Sequence, residues 1–162
     1  MNKLKKAVIV TFLLTSLCGL FGCKKPPEYT VNDIKTAAVS CSHMDFSMTY
    51  SFYLHREENV WLLDAEYATD TEQPRTEYAN HCVSDEDVKE LFKIIEAQET
   101  IKKLRRYKKP KLNITVADET SYYTLLGFTD GEKLGAPIPA DNNTEECFRR
   151  LAEKYADPSF QK

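Results

Sequence analysis

Three histidines, His43, His55 and His81, are the side chains of this sequence with the widest choice of chemistry. An imidazole can transfer protons near physiological pH or bind a metal ion. None of the three lies in a His-Glu-x-x-His motif, and the chain has no Gly-x-Ser-x-Gly nucleophile motif. Acid–base catalysis or metal binding would therefore require a fold that brings at least two of them together.

Asp64 and Glu66 are a second candidate, because two neighbouring carboxylates can serve as the acid and base of glycoside hydrolysis. They alternate with apolar residues along one predicted strand and so lie on the same face of it. Such a pair on an alternating strand is more typical of a hydrated surface. The pair alone predicts no catalytic site.

A run of basic residues between positions 102 and 111 is the strongest charge feature. It consists of Lys102, Lys103, Arg105, Arg106, Lys108, Lys109 and Lys111. One interpretation is that these cations stabilise the negative end of a helix dipole and are otherwise solvated. The other is that they attract anionic lipid headgroups or wall polymers. Four of them, Lys102, Lys103, Arg105 and Arg106, are the candidate binding residues.

Alternation of apolar and polar residues predicts the strands that position these groups. The clearest covers residues 46–55, and others cover 34–43, 61–67 and 76–83. The short connection at residues 57–59 makes the second and third strands antiparallel. In a meander of these four strands, His55 and His81 fall at the same end of the sheet, with Glu58 and Asp85 as possible partners.

Two predicted helices follow the strands. Ser84 begins the first, because its hydroxyl can cap free backbone amides, and its apolar face continues to Leu104. Two further strands are predicted at about 112–116 and 122–128, and Asp130-Gly131 is a turn signal. The second helix runs from about Thr144 to Ala156, with Asn143 as its cap.

The order ββββ-α-ββ-α predicts an α+β domain, an antiparallel sheet of about six strands with two helices packed on one face. The other face is expected to stay partly open. Tyr53 and His55 would lie on this exposed amphipathic surface as candidate binding residues, and Tyr122 is a further candidate.

Composition limits the class of partner. The chain has 22 Lys+Arg and 25 Asp+Glu, and residues 1–22 hold three of the lysines and no acidic residue, so the remainder has a net charge of −6. This acidity argues against general nucleic-acid binding. No Cys-x-x-Cys spacing is present, and no metal or other cofactor is predicted. Cys41, Cys82 and Cys147 are interpreted as reduced, buried thiols, and the alternative is one disulfide with one free thiol.

The N-terminus has the pattern of an export signal. Lys3, Lys5 and Lys6 precede an apolar stretch over residues 7–20, which is too short to span a bilayer. The residues Leu20-Phe21-Gly22-Cys23 resemble the lipobox of bacterial lipoproteins. The resemblance covers roughly the first 25 residues, and it implies cleavage before Cys23, a diacylglyceryl group on its sulfur and a domain outside the cytoplasm.

The expected organisation is therefore a signal peptide (1–22), a lipid anchor and tether (23–33) and a single domain (34–162). The membrane would be the cell membrane or the outer membrane, and Lys24 is compatible with outer-membrane sorting. The leading hypothesis is a non-enzymatic lipoprotein whose open sheet face or basic end binds an envelope protein, an anionic polymer or an anionic lipid. The alternative is a small envelope hydrolase that uses groups around His55 and His81.

Overall fold

The structure is a computed structural model that describes residues 27–43, 50–68, 76–108 and 120–156. Its strands are β1 (Ile34–Ser42), β2 (Tyr50–Glu57), β3 (Val60–Tyr67), β4 (Thr76–Val83), β5 (Ser121–Phe128) and β6 (Lys133–Ala136). Its helices are a 3-10 turn (Val31–Asp33), α1 (Asp85–Ala97), α2 (Thr100–Arg106) and α3 (Asn142–Ala156).

The six strands form one antiparallel sheet in the order β4-β3-β2-β1-β5-β6. The first four make the predicted meander, and β5 returns to pair with β1. The β5–β6 hairpin turns at Asp130-Gly131, where Gly131 has a φ of +89°, a conformation that favours glycine. This confirms the predicted α+β fold.

The buried apolar side chains of the strands lie on one face, which the helices cover. At its centre the ring of Phe52 on β2 stacks on that of Phe148 on α3, with centroids 5.9 Å apart and neither side chain exposed. Trp61 on β3 packs against Phe92 on α1, and the two rings have an edge-to-face arrangement. The buried core residues of the described ranges lie between Ile34 and Tyr155, so the chain from Cys23 onward carries this whole core.

The first helix differs from its prediction as one continuous element. It ends after Ala97, and α2 begins only at Thr100. Glu99 between them has a φ of +51°, the left-handed conformation that commonly ends helices. The break turns α2 so that Thr100 and Leu104 are buried against the rest of the domain. Burial of Leu104 therefore outweighs the cost of a non-glycine residue in this conformation.

Three other details differ from the sequence predictions. Strand β6 was not predicted, and the predicted strand at 112–116 lies outside the described residues, where it is not tested. The last helix begins earlier than predicted, and its cap is Asp141, which accepts a hydrogen bond from the backbone N–H of Asn143 (3.0 Å). Tyr122 lies opposite buried Cys41 on the covered face, so its neighbour Tyr123 is the tyrosine on the open face.

A polar cluster centred on Asp87 joins the start of α1 to the end of α3. The Asp87 carboxylate accepts hydrogen bonds from the Tyr155 hydroxyl (2.6 Å) and the Lys154 ammonium (2.7 Å). The Ser84 hydroxyl donates to the same carboxylate and caps α1 by accepting from the Asp87 N–H. Burial by itself raises the pKa of Asp87, but the bonds from Lys154, Tyr155 and Ser84 outweigh burial and hold the pKa below its ordinary value of 3.8.

We expect Asp87→Ala to lower the free energy of unfolding by about 1–3 kcal/mol, since it removes charge-assisted bonds from a partly buried site. Because the folded-state pKa is depressed, this contribution is present above pH 3.8 and is lost as the pH falls through the folded-state value. Urea unfolding at about pH 7 and about pH 3 measures both effects. Glu86→Ala, an exposed acidic residue of the same turn, is the control and should cost less than about 1 kcal/mol. An equal loss in both variants, or one that does not shrink in acid, would contradict the assignment.

Candidate functional site: the tether end and the open sheet face

Tyr29 is held against the domain by three contacts. Its ring stacks on Phe128 with centroids 3.9 Å apart and an interplanar angle of 8°. Its hydroxyl donates a hydrogen bond to Asp130 (2.6 Å), and this bond raises the pKa of Tyr29 to about 12. The Arg105 guanidinium lies 5.2 Å from the ring centroid. Tyr29 is therefore packed against the domain, whereas residues 23–33 were predicted from the sequence to form the anchor and tether.

Arg105 also donates a hydrogen bond to the backbone carbonyl of Pro27. The chain therefore enters the domain directly beside α2, the helix that carries the predicted basic residues. Cys23 is only four residues before Pro27. Even a fully extended chain spans at most about 3.6 Å per residue, so four residues reach at most roughly 14 Å.

The candidate basic residues form one exposed surface on α2. Lys102, Lys103, Arg105 and Arg106 are all exposed. Lys102 forms an ion pair with Glu99 (2.5 Å), which lowers the pKa of that carboxyl. Lys108 follows the helix and is also exposed, whereas Lys109 and Lys111 lie outside the described residues. This run is called the basic surface below. Lys103, Arg105 and Arg106 are in the last turn of the helix, as the interpretation by dipole stabilisation requires.

A groove of about 590 Å³ lies between the entering chain and the two helices. Its lining includes Tyr29 and Val31 of the entering chain and Ile95, Ile101, Arg105 and Arg106 of the helices. Glu28, Glu96 and Glu99 also line it. Sequence reasoning missed this groove, because it requires the break at Glu99 and the packing of Tyr29.

The open face of the sheet is the side opposite the helices. Tyr53 on β2 and Tyr123 on β5 are 38% and 45% exposed there, and the small residues Ala38 and Ser40 of β1 separate them. Tyr123 also extends over β6, where a Cβ on Gly135 would lie 2.4 Å from its hydroxyl oxygen. Tyr53 is therefore exposed on the face opposite the helices.

The structure does not bring the predicted histidine pair together. His55 lies on the open face, with its ring 5.0 Å from that of Tyr53 and its Nε2 3.6 Å from Glu57. His81 lies on the covered face, where Nδ1 donates to the Tyr155 carbonyl (2.9 Å) and the ring stacks on Tyr78 at 4.1 Å. The two are at the same end of the sheet, as predicted, but on opposite sides of it. His81 joins β4 to the end of α3.

His55 pairs with Thr36, near the start of β1, whereas His43 follows the end of β1. His43 is seven positions after Thr36, which corresponds to roughly 23 Å along a strand. Within the described ranges, no group of three His, Cys, Asp or Glu side chains is placed to hold a metal ion.

The carboxylate pair Asp64 and Glu66 lies on the open face, half-buried. Asp64 accepts a hydrogen bond from the backbone N–H of Asn80 (2.7 Å), at a bulge in β4 where Asn80 has a φ of +58°. Asp64 thus stabilises an irregular strand, because its carboxylate pairs a backbone donor that the bulge takes out of the ladder.

The three described cysteines differ in exposure. Cys41, Cys82 and Cys147 form no disulfide. Cys41 and Cys147 are buried, and burial raises the pKa of both thiols. Cys82 is exposed on the open face, so the prediction of three buried thiols is wrong at this position. It lies on β4, the outermost strand of the sheet formed by the described residues.

Cys23 and the predicted signal peptide (1–22) lie outside the described residues. No helix within the described ranges has the length and apolar character to cross a membrane. Comparison with protein-family models, curated proteins and solved structures finds no match. The function must therefore be argued from the geometry.

Proposed function

We propose that this protein is a lipid-anchored envelope module, a binding protein rather than an enzyme. Cys23 carries the lipid, the basic surface of α2 lies against anionic headgroups, and the open sheet face is available to another envelope component. The observation that carries the proposal is the contact of Arg105 with Pro27 and Tyr29, which places the basic surface next to the chain that leads to Cys23.

The energetics favour this arrangement. A lipid on Cys23 would keep α2 within a few nanometres of the bilayer. Docking of the cations would then cost little further translational entropy, because the anchor already holds the domain at the surface. Each Lys or Arg near an anionic membrane contributes about 1 kcal/mol. The open face is on the opposite side of the sheet from α2, so docking by α2 leaves Tyr53 and Tyr123 accessible.

The test is vesicle binding by the chain from residue 23 with Cys23→Ser, which lacks lipid. We expect the triple variant Lys102→Gln, Lys103→Gln and Arg106→Gln to bind phosphatidylglycerol vesicles about 10- to 100-fold more weakly at low salt. Arg105 is retained because it also holds the entering chain. Raising the salt to about 0.1 M, where the Debye length is about 10 Å, should reduce the difference.

The matched control is Lys89→Gln, Lys93→Gln and Lys133→Gln, which removes three exposed lysines from α1 and β6 and causes the same change in net charge. We expect this variant to bind much more like the parent protein. Equal weakening in both triple variants would indicate only a general charge effect and would refute docking by α2.

A further inference from the structure

A cavity of about 310 Å³ lies where α2, β5 and the chain between β6 and α3 meet. In the part of the chain that the structure describes, the buried polar residues are Thr100, Thr124 and Thr144, and all three line this cavity. Its volume is at the lower end of the range of small-molecule sites. It is called the threonine cavity below.

The protein does not satisfy every hydroxyl of the threonine cavity. The Thr124 hydroxyl donates a hydrogen bond to the backbone carbonyl of Ile138 (2.9 Å), and its oxygen can still accept one. Thr144 is only 2% exposed, and its Oγ1 has no hydrogen-bond partner among the described residues. A buried hydroxyl without a partner costs free energy, and a ligand that pairs with it removes this cost.

The charges around the threonine cavity balance. Lys103 on α2 supplies one cation and Asp141 supplies one carboxylate. Asp141 also accepts a hydrogen bond from the Asn143 N–H, so the protein itself caps the start of α3. A lining with one charge of each sign gives no net preference for an anion or a cation. The chemistry of the cavity therefore favours an uncharged polar ligand.

We propose that the threonine cavity binds one neutral sugar ring. Sugar hydroxyls both donate and accept hydrogen bonds, as threonine hydroxyls do, and they can also accept from Lys103 and donate to Asp141. The lining includes Ile138, Pro139 and Ala140, whose apolar groups can contact the C–H groups of the ring. The proposal does not depend on membrane docking by α2, although Lys103 takes part in both.

The experiment is a nuclear magnetic resonance titration of the isotope-labelled Cys23→Ser chain with glucose, galactose and N-acetylglucosamine. We expect at least one sugar to cause saturable shifts at the amides of Lys103, Asn142 and Thr144. The affinity should not change between low salt and about 0.1 M salt, because the ligand carries no charge. No saturable shift with any of the three sugars would overturn the proposal. A response to inorganic phosphate or glycine alone would also overturn it, in favour of an anion or a zwitterion.

Two substitutions at Thr144 isolate the hydroxyl. Thr144→Val removes the hydroxyl at nearly constant volume and should weaken sugar binding by about fivefold or more. Thr144→Ser keeps the hydroxyl and should bind within about twofold of the parent. Thr129→Val, at an exposed position, is the control and should leave the affinity unchanged. Equal affinity in Thr144→Val and the parent would refute the site.

Thermal unfolding separates a ligand-binding hydroxyl from a structural one. Since the Thr144 hydroxyl has no partner among the described residues, Thr144→Val should not lower the Tm of the sugar-free protein. A lower Tm that Thr144→Ser restores would mean that the hydroxyl stabilises the fold, and it would overturn the proposal.

Two further measurements identify the source of the sugar and separate the two proposals. Binding of the disaccharide that ends in the preferred sugar would indicate the end of a glycan, whereas its exclusion would indicate a free monosaccharide, and either result supports a sugar site. Thr144→Val changes no charge, so vesicle binding by the basic surface should be unaffected. If no sugar binds while vesicle binding still depends on the basic surface, the cavity proposal alone fails.

Discussion

Replacement of Cys23 by serine is expected to abolish incorporation of radiolabelled palmitate into the protein. Two acyl chains bind a bilayer stably at about 0.8 kcal/mol per buried methylene, whereas a single chain gives only marginal binding. Loss of the sulfur removes the attachment point for both chains at once. Of the substitutions considered, this one should therefore have the largest effect on membrane affinity.

The matched control is Cys18→Ser, a cysteine within the apolar stretch (7–20) and five residues before Cys23. Leu17 is bulky where a small residue should precede the cleaved bond, whereas Gly22 precedes Cys23. The Cys18→Ser protein should be labelled like the wild type, and its intact mass should match a diacylglyceryl chain beginning at Cys23. Label that survives in Cys23→Ser, or disappears in Cys18→Ser, would refute the anchor.

The architecture of the sheet could be predicted from sequence because its strands alternate so regularly. Phe52 and Leu54 are fully buried and the residues between and beside them are not, as a period of two requires. The pairing of β5 with β1 was not accessible in the same way. It joins segments about 85 residues apart, and neither strand carries a local signal for its partner.

The break between α1 and α2 could not be predicted, because neither glycine nor proline marks it. Glu99 adopts the left-handed conformation only because the tertiary structure buries Leu104 and Thr100 beyond it. The shift from Tyr122 to Tyr123 on the open face has a related cause. In a strand, an error of one residue in register moves every side chain to the opposite face.

The cluster of basic residues on α2 could be recognised in the sequence because so many lie close together, but its function could not be predicted. Sequence alone allowed either dipole stabilisation or membrane attraction. The hydrogen bond from Arg105 to the Pro27 carbonyl shows that the basic residues lie beside the chain that enters the domain, and the sequence could not show this. For the histidines, the predicted meander correctly placed His55 and His81 at the same end of the sheet. It did not show that the two side chains lie on opposite faces.

Replacement of Phe148 by alanine is expected to lower the free energy of unfolding by about 3–5 kcal/mol. Its ring is fully buried and lies almost parallel to Phe52, with an interplanar angle of 4°, so truncation leaves a cavity between α3 and the sheet. A loss of this size is a large fraction of the roughly 5–15 kcal/mol that stabilises a typical domain. Urea unfolding followed by circular dichroism measures it.

The control, Tyr123→Ala, removes an aromatic ring of similar size from the open face, where 45% of the residue is exposed. It should cost no more than about 1 kcal/mol, which is the range of a cross-strand contact. The pair therefore tests whether one face of the sheet forms the core while the other is free to bind. Comparable losses from both variants would mean that Tyr123 is also part of the core, and the open face could then not serve as a binding surface.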